Sequence, residues 1–188
     1  MKKYELTTNT KMWFGRKLYQ IKALKDFGNV KAGNLGGYIE KEENLSHDGN
    51  AWVYDSALVY DNAKVFDNAE VYSNAWVHDS AKVYDNAQIY DNASVSGNAR
   101  VFGDTQVLGN ARVCGNAQIY NDALICDSAD YICFQGFGSE SRNTTIFRTR
   151  NENIMVKCGC FTGNLKEFSE KIKETHGNTK YAKEYLAC

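Results

Sequence analysis

The chain has no proline in 188 residues, three histidines, and no apolar run near the ~20 residues that a membrane-spanning helix requires. The missing run excludes a helical membrane span. No basic segment followed by an apolar one opens the sequence, so a secretory leader is not expected. The six cysteines (Cys114, Cys126, Cys133, Cys158, Cys160 and Cys188) are unevenly placed, and two of them fall on positions of a repeat. That pattern reads as reduced thiols of a cytoplasm and not as a disulfide framework. The formal net charge is −1, which does not favour wholesale binding to long nucleic acid.

What the chain has in abundance is a period of six. From Asn50 to Asp127, 78 residues divide into 13 hexapeptides without insertion. The rule is Asn/Ser/Asp, small, any, Val/Ile, any, Asp/Gly/Ser/Asn. The fourth position is Val or Ile from Val53 to Ile125, and the second is Ala throughout except at Thr105. A period this short and strict marks a parallel β-helix. Side chains alternate across a strand, so Ala51 and Val53 share one side and Trp52 and Tyr54 the other. Only the Ala and Val positions are uniformly apolar, so these must face the core. Corners fall at Asp55-Ser56, Asp61-Asn62, Gly97-Asn98 and Gly103-Asp104, residue types that tolerate positive φ and bond their own backbone. Three six-residue sides close a triangular coil, so the block makes about 4.3 coils, roughly 20 Å tall at the ~4.8 Å strand spacing.

The flanks differ. Residues 1–43 carry nine Lys/Arg against five Asp/Glu, whereas the repeat carries four against ten. Tyr4–Thr7 and Lys17–Leu24 read as strands, broken by Gly28-Asn29. Val30–Gly49 reads as a degenerate lead-in coil, with Ile39 and Leu45 twelve and six residues before Ala51. A coil end left open exposes unpaired backbone and apolar core, so caps are expected. Beyond Cys133 the period stops. Thr145–Arg150 and Ile154–Cys160 suit a hairpin around Asn151-Glu152-Asn153. Asn164-Leu165-Lys166-Glu167 has capping-box form, with Leu165, Phe168 and Ile172 on one face of the helix and Gly177 ending it. A second short helix over Lys180–Leu186 would carry Tyr181 and Tyr185 on one side. The expected organisation is an N-terminal cap with lead-in coil over 1–43, a β-helix over 44–133 and a small α+β domain over 134–188.

The repeat Asn-Ala-x-Val-Tyr-Asp resembles that of the hexapeptide-repeat superfamily of left-handed β-helices, many of which are acyltransferases. The stretch Val30-Lys31-Ala32-Gly33-Asn34-Leu35-Gly36-Gly37-Tyr38-Ile39-Glu40, followed by Asn44-Leu45-Ser46, is similar to an enterobacterial branch described only as transferases. The tail from Lys157-Cys158-Gly159-Cys160-Phe161-Thr162-Gly163 through Thr175-His176-Gly177 looks like a segment of short uncharacterised proteins of bacteria and their phages. The resemblance implies the left hand of the coil, and it is specific for fold. It speaks weakly to function, because one fold hosts many activities.

Acyltransferases of this superfamily use a His base between subunits, often beside a loop extruded from the coils. This repeat has no extruded loop. Its one histidine, His78, takes the outward slot that Tyr or Phe fills elsewhere. His78 would be the base if the chain transfers acyl groups from an acyl-CoA, and is otherwise an exposed substitution. His47 falls in the lead-in coil, and His176 at a helix C-terminus, where imidazole suits the dipole. The three lack the spacing of a three-His zinc site.

One face of the prism keeps an aromatic outward slot throughout: Phe66, Tyr84, Phe102 and Tyr120, with Lys64, Lys82 and Arg100 beside them. A regular aromatic strip reads first as a subunit interface, most simply of a homotrimer, and second as a surface for stacked rings and anions. The stretch Gly136 to Thr145 offers Gly136, Gly138, Ser139, Ser141, Arg142 and Thr144, with Arg148 and Arg150 following on a strand. Exposed backbone N–H groups, hydroxyls and Arg suit a phosphate or carboxylate; the alternative is a polar linker. Cys158-Gly159-Cys160, with Cys133 or Cys188, is a weak zinc signal, and on a strand both thiols would face the core of the small domain. Asp at a turn needs no ion, so neither metal nor cofactor is expected.

The sequence therefore favours a non-catalytic, oligomeric binding protein on a left-handed β-helix, holding a small anionic ligand such as a nucleotide. It would work in the cytoplasm, or in a host cytoplasm if the gene belongs to a phage, where the use would be sequestration of a host nucleotide signal. The alternatives are an acyl- or acetyltransferase and a structural or protein-interaction module.

Overall fold

The computed structural model describes residues 2–137, 140 and 142–186. Strands β1 (Tyr4–Trp13) and β2 (Arg16–Ala23) form an antiparallel hairpin whose turn places Phe14 and Gly15 at positive φ. Strand β3 (Leu35–Ile39) pairs antiparallel with β2 and parallel with Leu58–Val59. Thirteen two-residue rungs follow, β4–β16, from Trp52–Val53 to Leu124–Ile125. They stack in parallel on three faces, each rung pairing with the one 18 residues on, as Lys64–Val65 does with Lys82–Val83. The chain is a parallel β-helix, and the N-terminal hairpin extends one of its faces.

The hexapeptide explains each rung. Every Ala at the second position and every Val or Ile at the fourth is buried, and each Val or Ile taken from water stabilises the coil by about 1.5–3 kcal/mol. Thr105, the exception in the Ala row, is buried too, and its hydroxyl donates to Phe102 O at 2.7 Å. The sixth position turns the corner in the left-handed region, from Asp55 (φ 50°) to Asn121 (φ 60°). Corner carboxylates also tie coil to coil. Asp55 Oδ2 accepts the N–H of Ser73 at 3.1 Å, and Asp85 and Asp91 do the same for Gly103 and Gly109. Asn side chains add a second ladder, Asn50 to Asn68 to Asn86 to Asp104. The repeat ends where this geometry ends: Asp127 is extended (φ −140°) and caps a 3-10 turn over Ser128–Asp130.

The lead-in coil is real but shifted. Ile39 pairs with Val59 and Leu45 bridges to Val65, so both occupy the Val slot, not the Ala slot that counting back by sixes assigns. Two extra residues lie between Leu45 and Val53, taken up around Gly49. The larger Ile and Leu fill the wide slot, which Ala could not. Gly36 and Gly37 are needed there, since a Cβ would lie 2.5 Å from Val53 O and 2.6 Å from Ala57 O respectively.

After the solenoid, β17 (Tyr131–Phe137), β18 (Arg142–Arg148), β19 (Ile154–Cys158) and β20 (Phe161–Asn164) form an antiparallel sheet in chain order. Helices α1 (Leu165–His176) and α2 (Lys180–Leu186) pack on it. The hairpin around 151–153 is present, but β18 starts at Arg142, inside the stretch read as an anion site or polar linker, and β17 and β20 are additional strands. The sheet covers the last coil: Phe147 is buried against Tyr120, Thr149 bridges to Ala123, and Arg150 N donates to Asp122 O at 3.0 Å. Among the described residues no helix is long and apolar enough to cross a membrane.

Candidate functional site

The C-terminal unit holds a cavity of about 310 Å³ between its sheet and its helices. Local sequence builds it. Asn164 Oδ1 accepts the Glu167 N–H at 2.9 Å while Glu167 Oε2 accepts that of Asn164 at 2.8 Å, which starts α1 at a fixed residue. Gly177, at φ 55°, ends the helix. Phe168 and Ile172 are buried, but Leu165, in the first turn, is 49 % exposed. In α2 the buried side chains are Ala182 and Tyr185, with Tyr181 only half-buried.

The floor of the cavity is Cys158, Phe161, Phe168, Ile172 and Tyr185; its rim carries Glu140, Arg142, Lys171, Thr175 and His176. Arg142 lies over the turn at Gly159, where a Cβ would be 2.7 Å from its Nη1. His176 stacks on Tyr185 at 5.9 Å. Burial pushes the Tyr185 hydroxyl up to about 12, the neighbouring Cys158 thiol adds to the rise, and Arg142 opposes it. At neutral pH this phenol is therefore an uncharged hydrogen-bonding group, and the positive charge of the rim is left to Arg142 and Lys171. Lys171 also pairs with Glu174 at 2.8 Å.

The residues assigned to an anion site from sequence are only partly brought together. Gly136 and Arg142 lie at this end of the sheet, and Gly138, Ser139 and Ser141 lie outside the described residues. Thr144 is buried next to Cys158 in the ladder, its hydroxyl without a hydrogen-bond partner among the described residues. Arg148 and Arg150 do not join them. Arg148 lies six residue steps along the strand from Arg142, roughly 20 Å. Arg148 pairs with Asp130 at 3.4 Å, and Arg150 donates to Asp104 O at 2.6 Å, so both hold the sheet to the coil end. Cys158 and Cys160 separate as well: Cys158 ends β19 and is buried, whereas Cys160 sits in the two-residue turn and is exposed. Sequence reasoning missed Lys171, Phe161 and Tyr185 as cavity residues. The one signal available was Lys171 at three residues from Phe168, on the edge of the apolar helix face.

His78 is half-buried. Its ring stacks on Tyr60 at 5.1 Å, Nδ1 is 3.4 Å from Asp79 Oδ2, and Nε2 is 3.5 Å from Ser94 Oγ. Asp61 beside it is taken by Arg16 from the N-terminal hairpin, at 2.6 Å. His47 accepts the Lys3 N–H on Nδ1 at 3.2 Å and stacks on Tyr4. The aromatic face forms a continuous stack: Phe66–Tyr84, Tyr84–Phe102 and Phe102–Tyr120 are 4.8, 4.8 and 5.1 Å apart and nearly parallel. Phe66, Tyr84 and Phe102 are half-buried, and Tyr120 is buried under the C-terminal sheet, its hydroxyl donating to Thr162 at 2.7 Å. Lys64, Lys82 and Arg100 stand exposed in register beside the stack.

The structure is thus a parallel β-helix built on a six-residue repeat. Residues 95–109 match the family described as YdcK Beta solenoid repeat. The chain is also similar to the Escherichia coli (strain K12) protein named "Uncharacterized acetyltransferase YdcK", at 50% identity over 38 residues. Those residues make up 20% of this chain and 12% of that protein.

Proposed function

We propose that this protein is a non-catalytic binding protein whose C-terminal cavity takes a small anionic ligand carrying an apolar or aromatic part, a nucleotide being the class that suits it best. The observation that carries this reading is the pairing of an apolar floor with the cations Arg142 and Lys171 on one rim. Apolar pockets with a few convergent polar groups are the usual form of small-molecule sites. A phosphate would meet the guanidinium in charge-assisted hydrogen bonds, and a base would rest on Phe161, Phe168 and Tyr185. Sequestration of a nucleotide signal would need no more chemistry than this. Self-association, most simply as a trimer, belongs to the same reading, with the ring edges of Phe66, Tyr84 and Phe102 as its surface. The test is calorimetry against mono-, di- and cyclic oligonucleotides and acyl-CoA. Binding of a nucleotide that Arg142→Ala weakens by about 1–3 kcal/mol supports the reading. No heat with any nucleotide ends it.

Similarity to the Escherichia coli protein named as an acetyltransferase favours a second reading, acyl transfer from an acyl-CoA with His78 as base. Both nitrogens of His78 are engaged by Asp79 and Ser94. Asp79 on Nδ1 would orient the ring, and Nε2 would take a proton once Ser94, at 3.5 Å, gives way to the acceptor. Acetyl transfer that disappears in His78→Ala would establish this reading in place of the first.

A further inference from the structure

The aromatic stack has one closed end and one open end. At the top, Phe147 closes Tyr120 edge-on, with centroids 5.4 Å apart. At the bottom, Phe66 is the last ring. Phe66 N donates to Val83 O and Tyr84 N to Val101 O, which places each ring one coil below the next. Ser46 N donates in the same way to Val65 O at 2.9 Å. Ser46 thus holds, one coil below Phe66, the slot that Phe and Tyr hold above. The rung is present and its ring is missing. In its place is a cavity of about 400 Å³ lined by Glu43, Ser46, Lys64, Val65, Phe66 and Lys82.

The charge beside this gap is unbalanced. Lys64 and Lys82 lie directly in register on adjacent rungs, and both are exposed. Among the described residues neither ammonium has an ion pair or hydrogen bond. Like charges set opposite each other in a ladder repel, and an anion between them relieves that repulsion. Glu43 adds a carboxylate to the same cavity, an acceptor for ring N–H or amino groups.

We infer that the open end of the stack is a binding site for a mononucleotide with an amino-bearing base. The base continues the stack on Phe66 at the ~4.8 Å rung spacing, Glu43 accepts from its amino group, and the phosphate bridges Lys64 and Lys82. The stacked rings above cannot take a base on their faces, because each face is already covered by a neighbour; only Phe66 has one to offer. This site lies four rungs, about 19 Å, from Tyr120 at the closed end under the C-terminal sheet, and does not depend on the cavity there.

The experiment is a calorimetric titration with AMP in the Arg142→Ala background, which removes a rim cation of the C-terminal cavity, with adenosine and inorganic phosphate as separate arms. AMP is expected to bind that variant. Adding Ser46→Tyr, which supplies the missing ring, is expected to abolish binding; Phe66→Leu should weaken it by about tenfold, the scale of one stack, and Lys64→Ala with Lys82→Ala, which removes two ionic hydrogen bonds, by about a hundredfold or more. Adenosine and phosphate should each bind more weakly than AMP. The inference is overturned if AMP does not bind in the Arg142→Ala background, or if Ser46→Tyr and Phe66→Leu, folded by thermal melt, bind it unchanged. AMP binding seen only in the wild type and lost in Arg142→Ala would support the C-terminal cavity and sink this site.

Discussion

Asp79 Oδ2 accepts the backbone N–H of Gly97 at 2.9 Å, across one full coil. That bond is the main reason the Asp79 carboxyl sits below the usual range; partial burial opposes it and His78 assists. Asp79→Ala should cost about 1.5–3 kcal/mol in urea unfolding, the value of a hydrogen bond to a charged group, and somewhat more because Ala takes the left-handed corner (φ 57°) less readily than Asp. A depressed folded value means that the stabilisation is present above the ordinary Asp pKa and lost as pH falls through the folded one. Asp79→Asn keeps an acceptor oxygen but not the charge, so it should lose less stability than wild type on acidification below about pH 4. Parallel acid profiles for the two would rule out this role for the corner carboxylate.

Val83 and Lys82 are neighbours on one rung with opposite fates. Val83 is fully buried between Val65 and Val101, while Lys82 is exposed between Lys64 and Arg100. Val83→Asp places a carboxylate where nothing can pair with it, and should destabilise the protein by at least about 3 kcal/mol or prevent folding. Lys82→Asp puts an acid between two cations and should leave the melting temperature unchanged or slightly raised. Equal melting temperatures for the two variants would mean that the inward and outward positions are misassigned.

The same two residues show how much was legible in the sequence. Alternation on a strand is a local property, so six-residue periodicity read the core, the corners and the three faces correctly. The capping box at Asn164 was legible for the same reason. The lead-in coil slipped because its spacing is not six: Leu45 is eight residues from Val53, and only long-range pairing with Val65 shows which slot it fills. Arg148 and Arg150 looked like ligand cations because nothing local announces Asp130 or the Asp104 carbonyl as their partners. The cavity at Lys171 and Tyr185, and the gap at Ser46, exist only where distant segments meet.

Self-association through the aromatic face predicts a light-scattering mass that is a multiple of 21.2 kDa at micromolar concentration. The rings cover much of each other's surface and Tyr120 is withdrawn under the C-terminal sheet, so the contact would be made by ring edges and the cation row. A row of like charges at an interface makes association salt-sensitive. The Lys82→Glu variant should therefore shift the mass toward the monomer if acidic corners of a second copy meet the row. A clean monomer for the wild type removes the interface.

Lys3 is fully buried at the foot of the coil, where its ammonium donates to Ala51 O at 2.8 Å and lies 4.9 Å over the Phe27 ring. Burial first, and Lys25 second, bring it down to about 8, with Asp48 opposing. In the unfolded chain the same amine titrates near its ordinary value of about 10.4. Between those values the unfolded state binds more protons than the folded one, so Lys3 makes stability rise with pH, by no more than about 1.4 kcal/mol per unit. Tyr4 works against this only above its ordinary range near pH 10, because burial raises its hydroxyl. Urea midpoints of wild type and Lys3→Met compared at about pH 7.5 and about pH 9.5 isolate the lysine, since every other titrating group is common to both proteins. The wild type should gain on the variant as pH rises. A difference that stays constant, or shrinks, would show that the ammonium is as well solvated in the folded protein as in the unfolded chain.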